Sequence, residues 1–191
     1  TANQSFTVVI EPPEPLKFGT TSLPSGKVGV TYAPVTIESS GGIGKRTYSL
    51  VSGALPVGMA LTSSGVFSGA PTVAGSYTFT VRVTDDQSAT ANQSFTVVIE
   101  PPEPLKFGTT SLPSGKVGVT YAPVTIESSG GFGKRTYSLV SGALPPGMAF
   151  SSSGIFSGKP SVAGSYTFTV RVTDGQPASA NQTFTVVVSP P

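Results

Sequence analysis

The chain of 191 residues has no cysteine, no histidine and no tryptophan, and only 10% of its residues are charged. Each lack removes a class of chemistry. Without cysteine there is no disulfide scaffold, a state compatible with the cytosol and with many bacterial surface proteins. Without histidine and cysteine, Ser–His and Cys–His nucleophile pairs and the usual zinc ligand sets cannot be assembled. The nine acidic residues fall mostly in linkers and turns, and none is paired in an apolar context that would raise a carboxyl pKa. An enzyme is therefore not expected. The 11 basic residues leave a net charge of +2. They are scattered, with no basic stripe of the kind that displaces counterions, so nucleic acid is not an expected partner. No apolar run approaches the roughly 18 residues of a membrane span. No signal peptide opens the sequence, and its first residues read as the interior of a domain, which leaves room for a signal upstream.

What is present is repetition. TANQSFTVVIEPPEPLKFGTTSLPSGKVGVTYAPVTIESSGG begins at Thr1 and again at Thr90, and a partial third copy, SANQTFTVVVSPP, begins at Ser179. The period is 89 residues, and the two full periods differ at nine positions. These are Ile43/Phe132, Val57/Pro146, Leu61/Phe150, Thr62/Ser151, Val66/Ile155, Ala70/Lys159, Thr72/Ser161, Asp86/Gly175 and Ser88/Pro177. Several exchanges keep an apolar residue apolar or a hydroxyl a hydroxyl, as positions set by packing tolerate. Near-identical copies point to recent duplication inside a longer array. A spacer or a multivalent binder gains from repetition, whereas an enzyme rarely needs its active site twice in a row.

Glycine (23) and proline (18) are abundant, and the 37% of hydrophobic residues come in short regular runs. That pattern predicts many short strands joined by turns. From Tyr77 to Val83 odd positions are apolar and even ones polar, and Tyr166 to Val172 repeats the alternation. Phe95, Val97 and Ile99 mark the next strand, with Asp85-Asp86-Gln87-Ser88 as the hairpin turn between them. Leu16 and Phe18 start the unit. Tyr32 to Ile37, Thr47 to Val51, Met59 to Leu61 and Val66 to Phe67 supply the remaining strands. About seven strands per repeat, with turns every 8–12 residues, predict an all-β fold of tandem immunoglobulin-like Greek-key β-sandwiches. The linkers Glu11-Pro12-Pro13-Glu14-Pro15 and Glu100-Pro101-Pro102-Glu103-Pro104 favour polyproline II and read as short and semi-rigid. Residues 12–100 and 101–191 are then two sandwich repeats, and residues 1–11 form the last strand of a missing preceding repeat.

The stretch Leu55-Pro56-Val57-Gly58-Met59, then Ser64-Gly65-Val66-Phe67-Ser68-Gly69-Ala70-Pro71, Ala74-Gly75-Ser76-Tyr77-Thr78-Phe79 and Val83-Thr84-Asp85, resembles the He-PIG immunoglobulin-like repeat. Leu144 to Asp174 matches as well, with Pro146 giving the common LPPG form. The resemblance covers essentially the whole chain. It implies large bacterial or archaeal surface proteins, a likeness to cadherin-like domains, and an extracellular or cell-surface, adhesin-like setting. It speaks for the fold far more than for the function.

Five candidate sites follow. If strands alternate up and down, one pole of each sandwich gathers Glu14, Glu38 and Asp85, with Glu11 nearby, and in the copy Glu103, Glu127 and Asp174, with Glu100 nearby. Calcium takes six to eight oxygens, several from carboxylates, so calcium is the alternative to no cofactor. The cadherin-like resemblance also implies calcium between domains, although the cadherin ligand motifs are absent. The competing reading is a set of solvated turn acids. Asn3, Asn92 and Asn181 each open an N-Q-S or N-Q-T glycosylation sequon, against which stands one chance tripeptide copied by duplication. Gly41-Gly42-Ile43-Gly44-Lys45 departs from a phosphate loop, because Ser39 and Arg46 stand where Gly and Ser or Thr are needed. Its apolar tip, Ile43 or Phe132, reads as an anchor against a neighbouring domain. Lys17 and Asn92 suit an isopeptide crosslink poorly, since alternation turns Lys17 outward.

The sequence therefore predicts a structural or spacer module of an extracellular repeat protein, a stalk or a filament. The alternative is an adhesion module that binds a glycan or protein through loops at one pole. The expected partners are neighbouring repeats of the same protein, with homotypic assembly as a further expectation.

Overall fold

The structure, a computed structural model, describes residues 2–191; Thr1 lies outside them. The chain divides into two compact units, Thr1–Pro101 and Pro102–Pro191. Every regular element among the described residues is a strand.

Unit 1 carries β1 (Lys17–Phe18), β2 (Gly26–Lys27), β3 (Tyr32–Thr36), β4 (Ser39–Ser40), β5 (Thr47–Gly53), β6 (Met59–Leu61), β7 (Val66–Gly69), β8 (Gly75–Thr84) and β9 (Thr90–Glu100). One sheet has the order β2-β9-β8-β5 and the other β3-β7-β6, with β1 paired to β4 beside them. Unit 2 repeats the scheme with β10 (Lys106–Phe107), β11 (Gly115–Lys116), β12 (Tyr121–Thr125), β13 (Ser128–Ser129), β14 (Thr136–Gly142), β15 (Met148–Phe150), β16 (Ile155–Gly158), β17 (Gly164–Thr173) and β18 (Ser179–Ser189). Its sheets run β11-β18-β17-β14 and β12-β16-β15. The two-residue strands β2 and β4 carry no alternation of their own and were not expected. Both form because a neighbour dictates their course, β2 lying parallel to the end of β9 and β4 antiparallel to β1.

The β8–β9 hairpin organises each unit. It runs from Gly75↔Ile99 to Thr84↔Thr90 without a register break. Alternation then sends Phe79, Val81 and Val83 from one strand, and Phe95, Val97 and Ile99 from the other, to the buried face. The outer face keeps hydroxyls, which bond across the strands: Thr78 to Thr96 at 3.0 Å and Thr80 to Ser94 at 3.0 Å. The three-stranded sheet supplies Tyr32 and Phe67. The rings meet in series through the core. Tyr32 and Phe67 lie edge to face at 5.3 Å, Phe67 stacks on Phe79 at 5.6 Å, and Phe79 meets Phe95 at 6.1 Å. Phe18 of β1 caps the series against Phe95 at 6.1 Å. Unit 2 repeats it with Tyr121, Phe156, Phe168, Phe184 and Phe107. The Leu61/Phe150 exchange adds one ring, in contact with Tyr137 at 6.4 Å.

Residues 2–10 precede the first strand of unit 1. Their phase predicts a complete strand, but residues 2–10 form no strand and are exposed throughout. Alternation can specify which face a strand would bury; it cannot supply the sheet to bury it against.

Phe79 touches rings on both sides, so Phe79→Ala should cost about 3–5 kcal/mol by loss of transfer energy and cavity formation. Thr78→Ala, on the outer face, should cost only about 0.2–1 kcal/mol, the worth of its cross-strand pair with Thr96. In urea denaturation the Phe79 variant should show an early transition for unit 1 with that of unit 2 unmoved.

Candidate functional site

The pole at the β8–β9 turn holds a cluster of polar side-chain hydrogen bonds. Asp85 leaves β8 with its side chain turned back into the turn, and it is 7% exposed. Its Oδ1 accepts the N–H groups of Gln87 at 3.0 Å and Ala89 at 2.8 Å, which closes the turn. Its Oδ2 accepts the N–H of Ile43 at 2.7 Å, from the loop that leads into β5, the neighbour of β8.

Ile43 can offer that N–H because of the glycines around it. Gly41, Gly42 and Gly44 have φ of 74°, 68° and 78°, left-handed backbone that glycine adopts freely and that aims the Ile43 N–H at Asp85 Oδ2. A Cβ on Gly42 would lie 2.6 Å from Asp85 Oδ2, so a side chain there would displace the carboxylate. The Gly42 N–H goes to the Glu14 carbonyl at 2.8 Å, which fixes the incoming linker to the same loop. Arg46 donates through Nη2 to the Gly41 carbonyl at 2.8 Å, and its charge lies near Asp85. The loop that vaguely resembled a phosphate cradle is thus occupied by the protein's own carboxylate.

The N–H of Ile43 holds the Asp85 carboxyl below its ordinary range, with further lowering from Ala89, Gln87 and Arg46 against an opposing effect of burial. Asp174 is bound in the same way, by Phe132 at 2.8 Å, Gln176 at 3.0 Å and Ala178 at 3.2 Å. The copies differ beside it. Asp86 Oδ2 accepts the Lys45 N–H at 2.8 Å; Gly175 has no side chain to do so. Ser88, at a φ of 65°, becomes Pro177, whose ring does not allow that conformation.

The acids expected to gather for calcium behave differently from one another. Glu14 and Glu38 contribute to this region through main-chain carbonyls, Glu38 accepting Gly19 N–H at 2.8 Å, while their side chains are exposed. Glu103 and Glu127 do the same toward Gly131 and Gly108 in unit 2, at 2.7 Å and 2.8 Å. Glu11 and Glu100 are exposed. Among the described residues no three carboxylates come together to hold an ion. Asp85 and Asp174 each already accept three N–H groups, which leaves those two carboxylates little lone-pair capacity for a cation.

Asn92 and Asn181 lie on the exposed face of β9 and β18, where each side-chain oxygen accepts from a cross-strand arginine, Arg82 or Arg171, at 3.1 Å. Asn3 is exposed outside any strand. Ile43 is 45% exposed, and Phe132 is half-buried. Lys17 is exposed and pairs with Ser40. Each unit also has an open cleft where β2 or β11 passes the free edge of β3 or β12, about 310 Å³ beside Lys27 and Tyr32 and about 360 Å³ beside Lys116 and Tyr121. Both phenols are engaged, by the Pro24 and Pro113 carbonyls at 2.7 Å.

The family described as "Putative Ig domain", He-PIG, matches residues 7–100 and 103–189. The chain belongs to that family. No curated protein matches it. Among solved structures, the two He-PIG repeats are similar to protocadherin gamma B2 extracellular cadherin domains 3-6 (14% identity, TM-score 0.42, covering 93% of this chain and 53% of that one). Mouse cadherin-23 EC22-24 is 18% identical at a TM-score of 0.41, covering 93% and 65%. Drosophila N-cadherin EC1-4 is 15% identical at 0.39, covering 92% and 50%. The He-PIG pair thus spans from half to two thirds of the length of these structures.

Because the folded-state pKa of Asp85 is depressed, its contribution to stability is complete above the unfolded value near 3.8 and is lost as pH falls through the folded value. Unit 1 stability should therefore be level at neutral pH and fall below about pH 4. Asp85→Asn should lower its melting temperature at pH 7 and flatten that acid slope. Asp86→Gly, which only recreates the unit 2 residue, should move melting far less in the same scans.

Proposed function

We propose that this He-PIG pair is a non-enzymatic structural spacer of an extracellular or cell-surface repeat protein, part of a stalk or filament. The observation that carries the reading is where the aromatic side chains are. Among the described residues Phe6 is the only exposed aromatic, and it lies outside both sandwiches. Recognition of a glycan or protein through polar loops draws on exposed rings as anchors. Here most rings pack into the core, with Phe132 half-buried at its loop tip. At the polar pole the Asp85 carboxylate is engaged by the protein's own main-chain N–H groups, and Asp174 likewise, although the buried Arg135 Nε has no partner. The clefts are lined by a lysine, an engaged tyrosine and several hydroxyl side chains, with Glu100 added in unit 1. Among the described residues no helix is long and apolar enough to cross a membrane.

An adhesion module remains the competing reading, and binding assays separate the two. The chain displayed on a surface should give no saturable signal on arrays of glycans and extracellular proteins. A saturable ligand whose binding is lost on substituting residues 41–46 would establish adhesion instead.

The spacer reading also places no weight on calcium. A site filled at a hundredfold excess over its Kd would add about 2.7 kcal/mol. We expect the melting temperature to be the same with millimolar calcium as with a chelator; a rise of several degrees would restore the calcium site.

A further inference from the structure

Residues 2–11 repeat Ala91 to Glu100 of β9 letter for letter, but the two copies have opposite surroundings. In β9, Phe95, Val97 and Ile99 are at most 2% exposed. In the first copy, Phe6, Val8 and Ile10 are 80%, 80% and 86% exposed. A sequence that alternates apolar and polar residues and shows its apolar side and its amides to water is a strand without a sheet. Its duplicate shows which sheet it fits. That place lies between a β8-type strand, antiparallel from Gly75↔Ile99 to Thr84↔Thr90, and a β2-type strand, parallel at Gly26↔Ile99.

Its own unit cannot offer that place. β9 fills it, and the segment could not reach. Glu14 is tied by its carbonyl to Gly42 at the Asp85 pole, where β9 begins. The slot for Glu11 would be that of Glu100, the length of an eleven-residue strand away, roughly 33 Å. Three residue steps from Glu11 to Glu14 span only about 10 Å. The free edges of the unit are blunted as well. β2 has two residues and β6 three. β3 contains Pro34 and a register break between Tyr32 and Val35. β5 breaks register between Leu50 and Ser52, and its Tyr48 N–H is already bonded to the Ser63 carbonyl at 3.0 Å. An intact second copy is no better an acceptor, since β18 occupies the equivalent slot and exchanging one strand for another hides no additional surface.

We propose that residues 2–11 are the closing strand of a further sandwich of the same pattern, carried upstream in the same polypeptide, whose β2-type and β8-type strands take it in the β9 register. The join argues for a source in the same chain: Glu11 to Phe18 and Glu100 to Phe107 are the same eight residues, EPPEPLKF, and the second set leads from a closing strand straight into a folded unit. The inference rests on the array reading only in treating each unit as one of a series. A ligand on the 41–46 loop would defeat the spacer role and leave this inference untouched.

Amide hydrogen exchange tests it on the whole chain and on the same chain extended by a second copy of residues 12–89 placed ahead of Thr1. In the chain as it stands, residues 2–11 should exchange freely while 91–100 are protected. In the extended chain, residues 2–11 should slow by at least about a hundredfold, to the level of 91–100, and the protein should remain monomeric with a third folded unit. The double variant Phe6→Ser, Val8→Ser should abolish that slowing and unfold the added unit, yet leave the melting of the unextended chain unchanged. Free exchange of residues 2–11 in the extended chain would overturn the proposal. So would a loss of stability or of self-association when the double variant is made in the unextended chain, because the segment would then have its partner within this protein or in a second copy.

Discussion

The rest of each unit depends on the pairing of β8 with β9. Ten residue pairs run without a break, and the two strands deliver six fully buried apolar side chains to one face. No other pair of strands in the unit is as long. β5 and β2 take their places as the outer strands of this sheet. The three-stranded sheet reaches it mainly through Phe67 stacked on Phe79. Long β pairing of this kind closes cheaply because its two strands are joined by a short turn, whereas the contacts from β3 and β7 must close larger loops. The hairpin is thus the part that can form first and give the later strands a surface to cover.

The turn of that hairpin shows how one side chain can serve the fold in place of a ligand. Asp85 and Asp174 each bind three main-chain N–H groups, two in the turn and one in the glycine-rich loop between β4 and β5, or β13 and β14. A buried carboxylate is costly unless hydrogen-bonded, and buried N–H groups in an irregular loop have the same need. Each satisfies the other. The flanking residues are freer to change: Asp86 is replaced by Gly175 and Ser88 by Pro177, yet the three N–H bonds persist in both units. What the duplication has kept at this pole is the carboxylate and its glycine loop.

Much of the fold was legible in the sequence because alternation reports burial directly. Tyr77 to Val83 and Phe95 to Ile99 show their core face by alternation alone, and Met59 to Leu61 reads as a short strand. The pieces that escaped, Gly26–Lys27 and Ser39–Ser40, are two residues long and owe their conformation to a neighbouring strand, which no local pattern encodes. The polar pole was legible only in part. Strand order predicts Glu14, Glu38 and Asp85 at one end; it does not predict that the loop at 41–46 meets Asp85 there, nor that Glu14 and Glu38 take part through their carbonyls. The clue to Asp85 was present in Asp-Asp-Gln-Ser, an aspartate opening a turn whose own N–H groups it can accept, and in the three glycines that aim an N–H toward it.

The segment before Pro12 makes the same point from the opposite side. Its sequence matches β9 residue for residue, and its structure does not. What differs is the surface it can reach, since the linker that follows it is anchored at the pole where a closing strand starts rather than where one ends. In this architecture the strand that closes one sandwich runs without interruption into the linker of the next, as β9 does through Pro101 to β10. A period of the sequence and a folded unit are therefore offset by about one strand, and a cut that respects the sequence repeat divides a sandwich from the strand that covers its core. With that offset, the last residues of each core run directly into the linker that leads to the following unit.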